Sequence, residues 1–261
     1  MCLITFSYRQ HPKYQLIFAA NRDERYDRPT RRAQFWNKNP EILAGKDLKA
    51  GGTWMGITKG GMWSALTNFR DPTIERENAP SRGQLVLEYL KNNDSPERFL
   101  KKLDQSADQY MGFSLLVGTG DKLGYYSNQQ NNIRLLDSGL YGLSNHLLNS
   151  DWPKVKRAKA SLNKLIQRNS ISEEALFELL EDEREAPDNQ LPDTGIPKEI
   201  EKKVSPIFIK SDGYGTRCST VLLIDTDGQV RFTERCYEPG TQQVADENRY
   251  QFDIRNHQFS N

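Results

Sequence analysis

Residues 2–8 (CLITFSY) and 14–20 (YQLIFAA) decide the fold, because the chain opens on two apolar, β-rich runs rather than on a polar tail. The polar break His11-Pro12-Lys13 separates them, and a short break between two such runs is typical of a hairpin. The sequence therefore predicts an antiparallel hairpin at the very N-terminus.

Further strands and two pairs of helices follow the hairpin. The glycine-rich segment 51–69 (GGTWMGITKGGMWSALTNF) predicts a second hairpin. Ser95 before Pro96, and Ser172 before an apolar segment, are typical of helix N-termini. Strands are predicted at residues 53–58, 62–68, 113–118, 122–127, 132–136, 217–224, 229–235 and 249–254. Helices are predicted at residues 82–92 (capped by Ser81), 96–105, 153–168 and 173–184.

Charged and proline-rich stretches are predicted to connect these elements. Residues 21–34 (NRDERYDRPTRRAQ) predict a loop, and residues 185–205 predict a surface excursion. The element order ββ, ββ, αα, βββ, αα, ββ(β) disfavours alternating parallel βαβ units. An α+β fold with two antiparallel sheets between two helix layers, an αββα sandwich, would bury this pattern. Since the chain has no 20–50-residue repeat and no break in composition, we predict one domain over residues 1–261.

Composition narrows the class of protein. The 261 residues carry 36 Lys and Arg against 35 Asp and Glu, and a net charge of +1 disfavours a protein that coats nucleic acid. Eleven Phe, eleven Tyr and four Trp exclude a disordered chain, although the mean hydropathy of −0.77 requires a very polar surface. No apolar run approaches the ~18–20 residues of a membrane span, so we expect no stable membrane insertion.

Cysteine and histidine usage favours a cytoplasmic protein without a metal. Cys2, Cys218 and Cys236 are odd in number and lack metal-ligand spacing, and the first residues do not resemble a signal peptide. A reducing cytoplasm fits this usage best. Three widely dispersed histidines disfavour a zinc or iron site.

Cys2 is the most informative candidate for chemistry. Removal of the initiator Met is favoured before a small residue, and it would leave a thiol and a free α-amine on one residue. An α-amine with a pKa near ~8 can take the thiol proton, so Cys2 would supply both nucleophile and base without a histidine. The structural alternative is a small, buried apolar residue in an edge strand.

Two charged residues are candidates for a supporting role. Arg22 and Asp23 end the second predicted strand, and they lie near Cys2 if that strand folds back on the first. Arg22 would then hold a thiolate or a substrate carboxylate, and Asp23 would orient an ammonium group. The alternative is a solvated charged turn.

Three further polar residues are candidates at strand ends. Asn68 and Asn145 carry side-chain amides that can donate to a developing oxyanion, an effect worth ~3–4 kcal/mol. Asn at a strand end is, alternatively, a common turn former. Arg217 opens the strongest late strand, and Cys218 alternates out of phase with it, which favours a core thiol.

Short motifs occur in a fixed order along the chain. They are MC (1–2), NRDE and RP (21–24, 28–29), GGTW-x-G (51–56), TN (67–68), SRG (81–83), GLSN (142–145) and GTR-x-STVLL (215–223). Together they resemble the NRDE family, which includes the transport and Golgi organisation protein 2. The resemblance extends from Met1 to the Glu234-Arg235 pair, essentially the whole chain.

The NRDE family is similar in turn to the cysteine N-terminal-nucleophile (Ntn) hydrolases, such as bile-salt hydrolase, penicillin V acylase and acid ceramidase, and this implies an αββα fold. The resemblance implies roles for Cys2 (nucleophile and base), Arg22 and Asp23 (ordering that pair), Asn68 and Asn145 (oxyanion side) and Arg217 (thiolate support). Those enzymes usually space their Arg and Asp three apart. Here the two residues are adjacent, and neighbours on a strand point to opposite faces, so at most one is expected to face the nucleophile unless the strand ends there.

The reaction expected from this resemblance is hydrolysis of a linear non-peptide amide, or a thioester, through a Cys2 acyl-enzyme. The alternative is a non-catalytic protein that binds a small molecule, either haem or an acyl-lipid-type ligand, linked to secretory organisation or lipid metabolism. We expect no resident cofactor; for haem, the candidate ligands reduce to His146 and the cysteines. Aromatic residues available to line a pocket, although more often found in a core, are Phe35, Trp36, Trp54, Trp63 and Tyr110.

Overall fold

The computed structural model describes residues 2–73 and 76–254, which form two antiparallel sheets with helices on their outer faces. The strands are β1 (Cys2–Tyr8), β2 (Tyr14–Arg25), β3 (Thr30–Trp36), β4 (Asn39–Asp47), β5 (Met55–Thr58), β6 (Trp63–Asn68), β7 (Phe113–Gly118), β8 (Leu123–Ser127), β9 (Arg134–Leu135), β10 (Gly139–Leu143), β11 (Lys210–Ser211), β12 (Tyr214–Asp225), β13 (Gln229–Tyr237) and β14 (Val244–Asp253). The α-helices are α1 (Gly83–Lys91), α2 (Pro96–Asp104), α3 (Pro153–Gln167), α4 (Glu173–Leu180) and α5 (Lys198–Lys203).

The predicted N-terminal hairpin lies in the middle of the first sheet. This sheet has the order β10-β1-β2-β12-β13-β14, with β11 paired to β12, and the second sheet has the order β3-β4-β5-β6-β7-β8-β9. In the hairpin, Cys2 lies opposite Arg22 and Tyr8 lies opposite Leu16. The prediction of a hairpin is therefore confirmed, and its first residue lies at one end of a central pair of strands.

Three apolar clusters hold the layers together. Between the sheets, Phe6 and Phe18 pack against Trp63, with ring centroids 6.4 and 5.7 Å apart. On the other face of the first sheet, Leu3 and Ile17 pack with α3 and α4, while α1 and α2 cover the second sheet. Because both faces of each sheet bury apolar side chains, the predicted αββα sandwich is confirmed.

Two predicted helix N-caps are confirmed and one is wrong. Ser95 and Ser172 each accept a hydrogen bond from the main-chain amide three residues on, at the starts of α2 and α4. Ser81 does not cap α1, since Arg82 precedes that helix with helical φ and ψ of −58° and −29°. An N-cap needs an extended backbone at that position.

The loop predicted over residues 21–34 is wrong. β2 continues through Arg25 and β3 begins at Thr30, so that only residues 26–29 turn between them. β12 pairs with β2 as far as Tyr214 opposite Arg25, and it supplies partners for the polar side chains of β2. High charge density is typical of solvated loops, but here the partners come from a strand about 190 residues away.

Other differences are smaller. β4 and β10 are additional to the predicted strands, the strand at 132–136 shrinks to β9, α5 lies within the predicted surface excursion, and α4 ends at Leu180. Two glycines among the five residues of β10, and proline and glycine in β4, weaken the strand pattern of these segments. Within the described residues, no helix combines the length and apolar composition needed to cross a bilayer.

Candidate active site

A cavity of about 320 Å³ lies between the sheets, at the end where β1 begins and β6 ends. Four of the six predicted site residues line it, namely Cys2, Arg22, Asp23 and Asn68. Antiparallel pairing explains this meeting, because β2 ends where β1 begins. Asn145 lies just behind the wall, and Arg217 lies elsewhere.

The GLSN segment (142–145) holds the main chain of Cys2. The Cys2 main-chain nitrogen donates to Asn145 Oδ1 (3.1 Å), and Ser144 Oγ donates to the Cys2 carbonyl oxygen (2.8 Å). Both Ser144 and Asn145 are buried. The nitrogen that would become the α-amine after loss of Met1 is therefore held by a side-chain oxygen.

The two asparagines have different surroundings. Asn145 Nδ2 donates to the Asn68 carbonyl oxygen (2.8 Å), so both ends of the Asn145 amide are engaged within the protein. The Asn68 side chain is exposed on the cavity wall and makes no hydrogen bond to any described residue. Of the two amides, only that of Asn68 is available to a bound ligand, while Asn145 positions Cys2.

Arg22 is the central residue of the first sheet at this end. It lies opposite Cys2 on one neighbouring strand and opposite Cys218 on the other. Its side chain is 5% exposed, it stacks on Trp54 at 4.2 Å from the ring centroid, and its Nη2 lies 3.8 Å from Glu24 Oε2. Its buried Nη1 has no hydrogen-bond partner among the described residues. Because a buried N–H without a partner is costly, this group favours an anion beside it.

Asp23 points to the other face of β2, as strand alternation requires. Its Oδ1 accepts a hydrogen bond from Thr216 Oγ1 (2.6 Å), and burial raises the pKa of its carboxyl group. The main-chain amide of Asp23, by contrast, donates a hydrogen bond to the Cys2 sulfur. The expected conflict between adjacent residues is thus resolved, because Arg22 faces Cys2 with its side chain and Asp23 reaches it with its main chain.

The electrostatic setting of the Cys2 thiol is mixed. Burial and the charge of the Asp23 carboxylate raise the pKa of the thiol, whereas the positive amino terminus, the Asp23 amide and the Arg22 guanidinium lower it. The residue as a whole remains partly exposed, so a ligand in the cavity can reach it. Such a thiol needs a base to take its proton before it can act as a nucleophile.

A buried lysine lies behind this site and was missed by the sequence analysis. Lys154 of α3 is 2% exposed, and its Nζ donates to the Val204 carbonyl oxygen (3.0 Å). Burial lowers the pKa of Lys154 to about 8, although the charges of Asp23 and Cys2 oppose the shift. A lysine on a predicted amphipathic helix normally indicates the solvent face, so no local signal marks it.

Arg217 does not line the cavity that contains Cys2. Its Nη1 donates to the carbonyl oxygens of Arg25 (3.0 Å) and Arg28 (2.7 Å), which holds the turn between β2 and β3. Arg82 of the SRG motif lines the cavity instead, and its Nη1 donates to the Gly112 carbonyl oxygen (2.8 Å). The motif in which it lies was recognised, but no role was predicted for its arginine.

Glycines allow two wall segments to meet. The Thr53 amide donates to the Gly83 carbonyl oxygen (3.1 Å), and a Cβ at Gly52 would lie 2.6 Å from that oxygen. A Cβ at Gly83 would lie 2.9 Å from the Thr53 oxygen. Both glycines are therefore required by the close approach of the GGTW and SRG motifs.

The remaining wall of the cavity is strongly polar. Arg28 Nε donates to Asp47 Oδ2 (2.7 Å) and lies 3.6 Å from Glu24 Oε2, which links the NRDE and RP motifs. The charged residues of the wall are Arg22, Asp23, Glu24, Arg28, Asp47 and Arg82. The cavity is thus suited to a ligand with a polar or charged portion.

Most of the candidate aromatic residues belong to the core. Trp36 and Trp63 are members of the apolar clusters, while Phe35, Tyr110 and Trp54 pack against them, and of these five Trp54 alone also lines the cavity. The His146 ring packs between Phe69 and Trp152 and lies outside the cavity wall. In the part of the chain that the structure describes, no group of three or more His, Cys, Asp or Glu residues is arranged to hold a metal ion.

Comparisons with known proteins agree with the motifs and the fold. Residues 1–239 match the family model described as transport and Golgi organisation 2. The transport and Golgi organization protein 2 homolog of Bos taurus is 39% identical over 256 residues, covering 90% of this chain and 92% of the relative. The transport and Golgi organization protein 2 of Drosophila melanogaster is 27% identical over 260 residues, covering 90% of this chain and 91% of the relative.

A solved structure shares the architecture at low sequence identity. A mutant conjugated bile acid hydrolase from Clostridium perfringens superposes with a TM-score of 0.53, covering 98% of this chain and 99% of that one at 11% identity. This likeness shows the fold alone. With the ordered motifs and the family match over most of its length, this chain belongs to the transport and Golgi organisation 2 family and has an Ntn-hydrolase-like fold.

Proposed function

We propose that this protein is a cysteine Ntn hydrolase that cleaves a linear non-peptide amide, or a thioester, through an acyl-enzyme on Cys2. The observation that carries the proposal is the pairing of Cys2 with Arg22 at the wall of a cavity, together with the hydrogen bond from the Cys2 nitrogen to Asn145. Nucleophile, base and positive charge would then be assembled on adjacent strands.

Activation begins with loss of Met1, which converts the Cys2 nitrogen into an α-amine. This amine takes the thiol proton, and Asn145 Oδ1 accepts one of its N–H bonds, which leaves the lone pair to face the thiol. The resulting thiolate is stabilised by the guanidinium of Arg22 and by the Asp23 amide. These contacts offset the unfavourable effect of burial on the thiolate.

The thiolate then attacks the carbonyl carbon, and the carbonyl oxygen takes up the negative charge. The Asn68 side-chain amide donates to that oxyanion from the cavity wall. Collapse of the tetrahedral intermediate breaks the C–N or C–S bond, and the ammonium group returns a proton to the leaving group. A water molecule, deprotonated by the same amine, hydrolyses the acyl-enzyme and restores Cys2.

The cavity also limits the substrate. Its charged wall favours a polar group on one side of the scissile bond, while Ile4, Phe18 and Leu66 form a narrow apolar crevice beside Cys2. A linear molecule with a polar head and a slender acyl portion matches both surfaces.

The test uses a butanoyl p-nitroanilide as the amide probe and a butanoyl thioester of N-acetylcysteamine as the thioester probe. Intact-mass measurement is expected to show loss of Met1, and peptide mapping after rapid quenching is expected to show a butanoyl group on Cys2. Protein that hydrolyses a probe while retaining Met1, or that carries the acyl group on another residue, would contradict the proposal.

A second candidate, binding without turnover, is favoured by one observation. Burial raises the pKa of the Cys2 thiol, as expected for a thiol that only lines a ligand site. Of the candidate haem ligands, Cys2 lines this cavity and His146 does not, and a wall with several charged residues favours an acyl-lipid-type ligand with a polar head over haem. Retained ligand affinity with full biological activity in a Cys2→Ser variant would support a carrier.

A further inference from the structure

A second cavity shares the stacked side chains of Arg22 and Trp54 with the cavity that contains Cys2. We call it the rear cavity; its volume is about 230 Å³, and Arg22 and Trp54 line it as well as the cavity that contains Cys2. Cys218 and Cys236, which lie opposite each other on β12 and β13, form part of its floor. The two cavities therefore have one stacked pair of side chains in common.

Positive charge predominates in the rear cavity. Arg22, Arg32 and Arg217 line it, and only Arg32 has a close ion-pair partner there, namely Asp246. Arg217 forms no ion pair with a described carboxylate, and its described hydrogen bonds go to main-chain oxygens. Burial, followed by the charge of Arg22, lowers the pKa of Arg217, so two guanidinium groups are held together at an electrostatic cost.

The other acidic residue of the rear cavity already accepts hydrogen bonds within the protein, from the Ala33 amide and the Cys236 thiol. Glu234 is 1% exposed, its Oε1 accepts a hydrogen bond from the Ala33 amide (2.6 Å), and burial raises the pKa of its carboxyl group. The deeply buried Nη1 of Arg22 is the second independent feature, because it lacks a partner in the described part of the chain.

We propose that the rear cavity is a binding site for a small organic oxyanion, a carboxylate or a phosphate ester, held by Arg217 and Arg22. Guanidinium groups bind both kinds of oxyanion through paired N–H donors. The volume suits the anionic end of a molecule or a small free anion, since complete ligand pockets are usually ~300–1,000 Å³. An anion bound there would fix the position of the Arg22 side chain. Because Arg22 also lies opposite Cys2, the bound anion would influence the surroundings of the Cys2 thiol.

The site does not depend on hydrolysis, so its test is a binding measurement. Calorimetric titration with sodium propanoate and, separately, with inorganic phosphate is carried out on the full chain and on the Cys2→Ser variant. Binding is expected in both proteins for at least one probe, and the probe that binds more tightly distinguishes a carboxylate site from a phosphate site. Failure of the Cys2→Ser variant to hydrolyse amides would not affect this result.

Variants and a labelling readout localise the site. Arg217→Gln is expected to weaken binding by about tenfold or more, because it removes a charged donor, whereas Arg249→Gln on exposed β14 is the matched control. Since Arg217 also holds a turn, Arg32→Gln provides a second variant at the rim if Arg217→Gln does not fold. Bound anion is expected to slow alkylation of Cys236 by iodoacetamide at pH 9.

Two results would overturn the assignment. One is absence of binding by both probes in the parent protein at millimolar concentration. The other is binding that protects Cys2 alone and is equally strong in the Arg217→Gln and Arg249→Gln variants, because such an anion would occupy the first cavity.

Discussion

Cys2 and Cys218 occupy equivalent places on either side of Arg22, yet their surroundings differ. Both lie opposite that arginine, one on β1 and the other on β12. Cys2 begins its strand, and Asn145 holds its nitrogen at the wall of the first cavity. Cys218 lies inside a strand, is 4% exposed and is influenced by the charge of the buried carboxyl group of Glu234. Only Cys2 combines access to a ligand with a nitrogen that processing can turn into a base.

The comparison shows that sheet position does not by itself make a nucleophile. Burial raises the pKa of both thiols, and nearby charges act in both directions at each of them. The amino terminus and Arg22 lower the pKa of Cys2 while the charge of Asp23 raises it; for Cys218 the charge of Glu234 raises the pKa and that of Arg22 lowers it. Its place at the end of a strand leaves Cys2 partly exposed at the cavity wall, which the middle of a strand does not offer Cys218.

The largest expected effect comes from Cys2→Ser. A hydroxyl group is hardly ionised beside an amine of pKa ~8, so turnover is expected to fall on the order of 10³-fold or more while ligand affinity and Tm are retained. In Cys218→Ser, the primary effect is expected on stability, about 1–3 kcal/mol, from a buried hydroxyl group. Turnover, ligand affinity and Tm are measured for both variants. Equal losses of turnover at unchanged Tm would contradict the distinction between Cys2 as the nucleophile and Cys218 as a core thiol.

Asn68→Ala tests the open side of the first cavity. Loss of an oxyanion donor is expected to lower kcat about 10²–10³-fold. The Tm should change little, because the Asn68 side chain is exposed and bonded to no described residue. Asn39→Ala, at the start of β4, is the control for removing a strand-end asparagine. A variant that hydrolyses as fast as the parent would assign Asn68 to the turn instead.

Alkylation at pH 7 sharpens the contrast between the thiols. Burial raises the pKa of Cys236 to about 12, so only ~10⁻⁵ of it is thiolate at pH 7, and Cys218 is shifted in the same direction. With a limiting amount of iodoacetamide, Cys2 is expected to react about 10²-fold faster than either. Peptide mapping reads the ratio, and earlier labelling of Cys218 would indicate an inert Cys2.

The smallest expected effect is on how the free energy of unfolding depends on pH, through the buried Lys154. The pKa of Lys154 is about 8 in the folded protein and ~10.4 in the unfolded chain, so the unfolded chain binds more protons between these values. Stability is therefore expected to rise with pH across this window, by at most about 3 kcal/mol. Lys154→Met should remove that rise, measured by urea unfolding at pH 7 and pH 10; an unchanged slope would contradict the burial of a charged lysine.

Local sequence signals predicted much of the framework. The apolar runs at both ends of the His11-Pro12-Lys13 break predicted the hairpin, and Ser95 and Ser172 predicted two helix starts. These signals succeed because they depend on neighbours within a few residues. The charged segment 21–34 failed because its partners, such as Thr216 for Asp23, lie on a distant strand.

For the candidate site, the sequence alone identified Cys2, Arg22, Asp23, Asn68 and Asn145, and the structure brings these residues together. Residue type and motif order suffice for that list, because they specify which groups can act as a nucleophile, base or donor. The same information assigned Arg217 to the thiolate and left Arg82 without a role. An arginine side chain is long, and its direction depends on which strand or turn packs beside it.

The sequence by itself determined the fold class, the family resemblance and the identity of the chemically capable residues, since each follows from local patterning and ordered motifs. Only the tertiary structure decided that Asn145 positions the Cys2 nitrogen while Asn68 faces the cavity, that Arg22 lines two cavities, and that Lys154 is buried. These properties depend on burial and on the register between distant strands. A one-residue change in that register would turn the side chain of Arg22 away from Cys2 and expose that of Asp23 in its place.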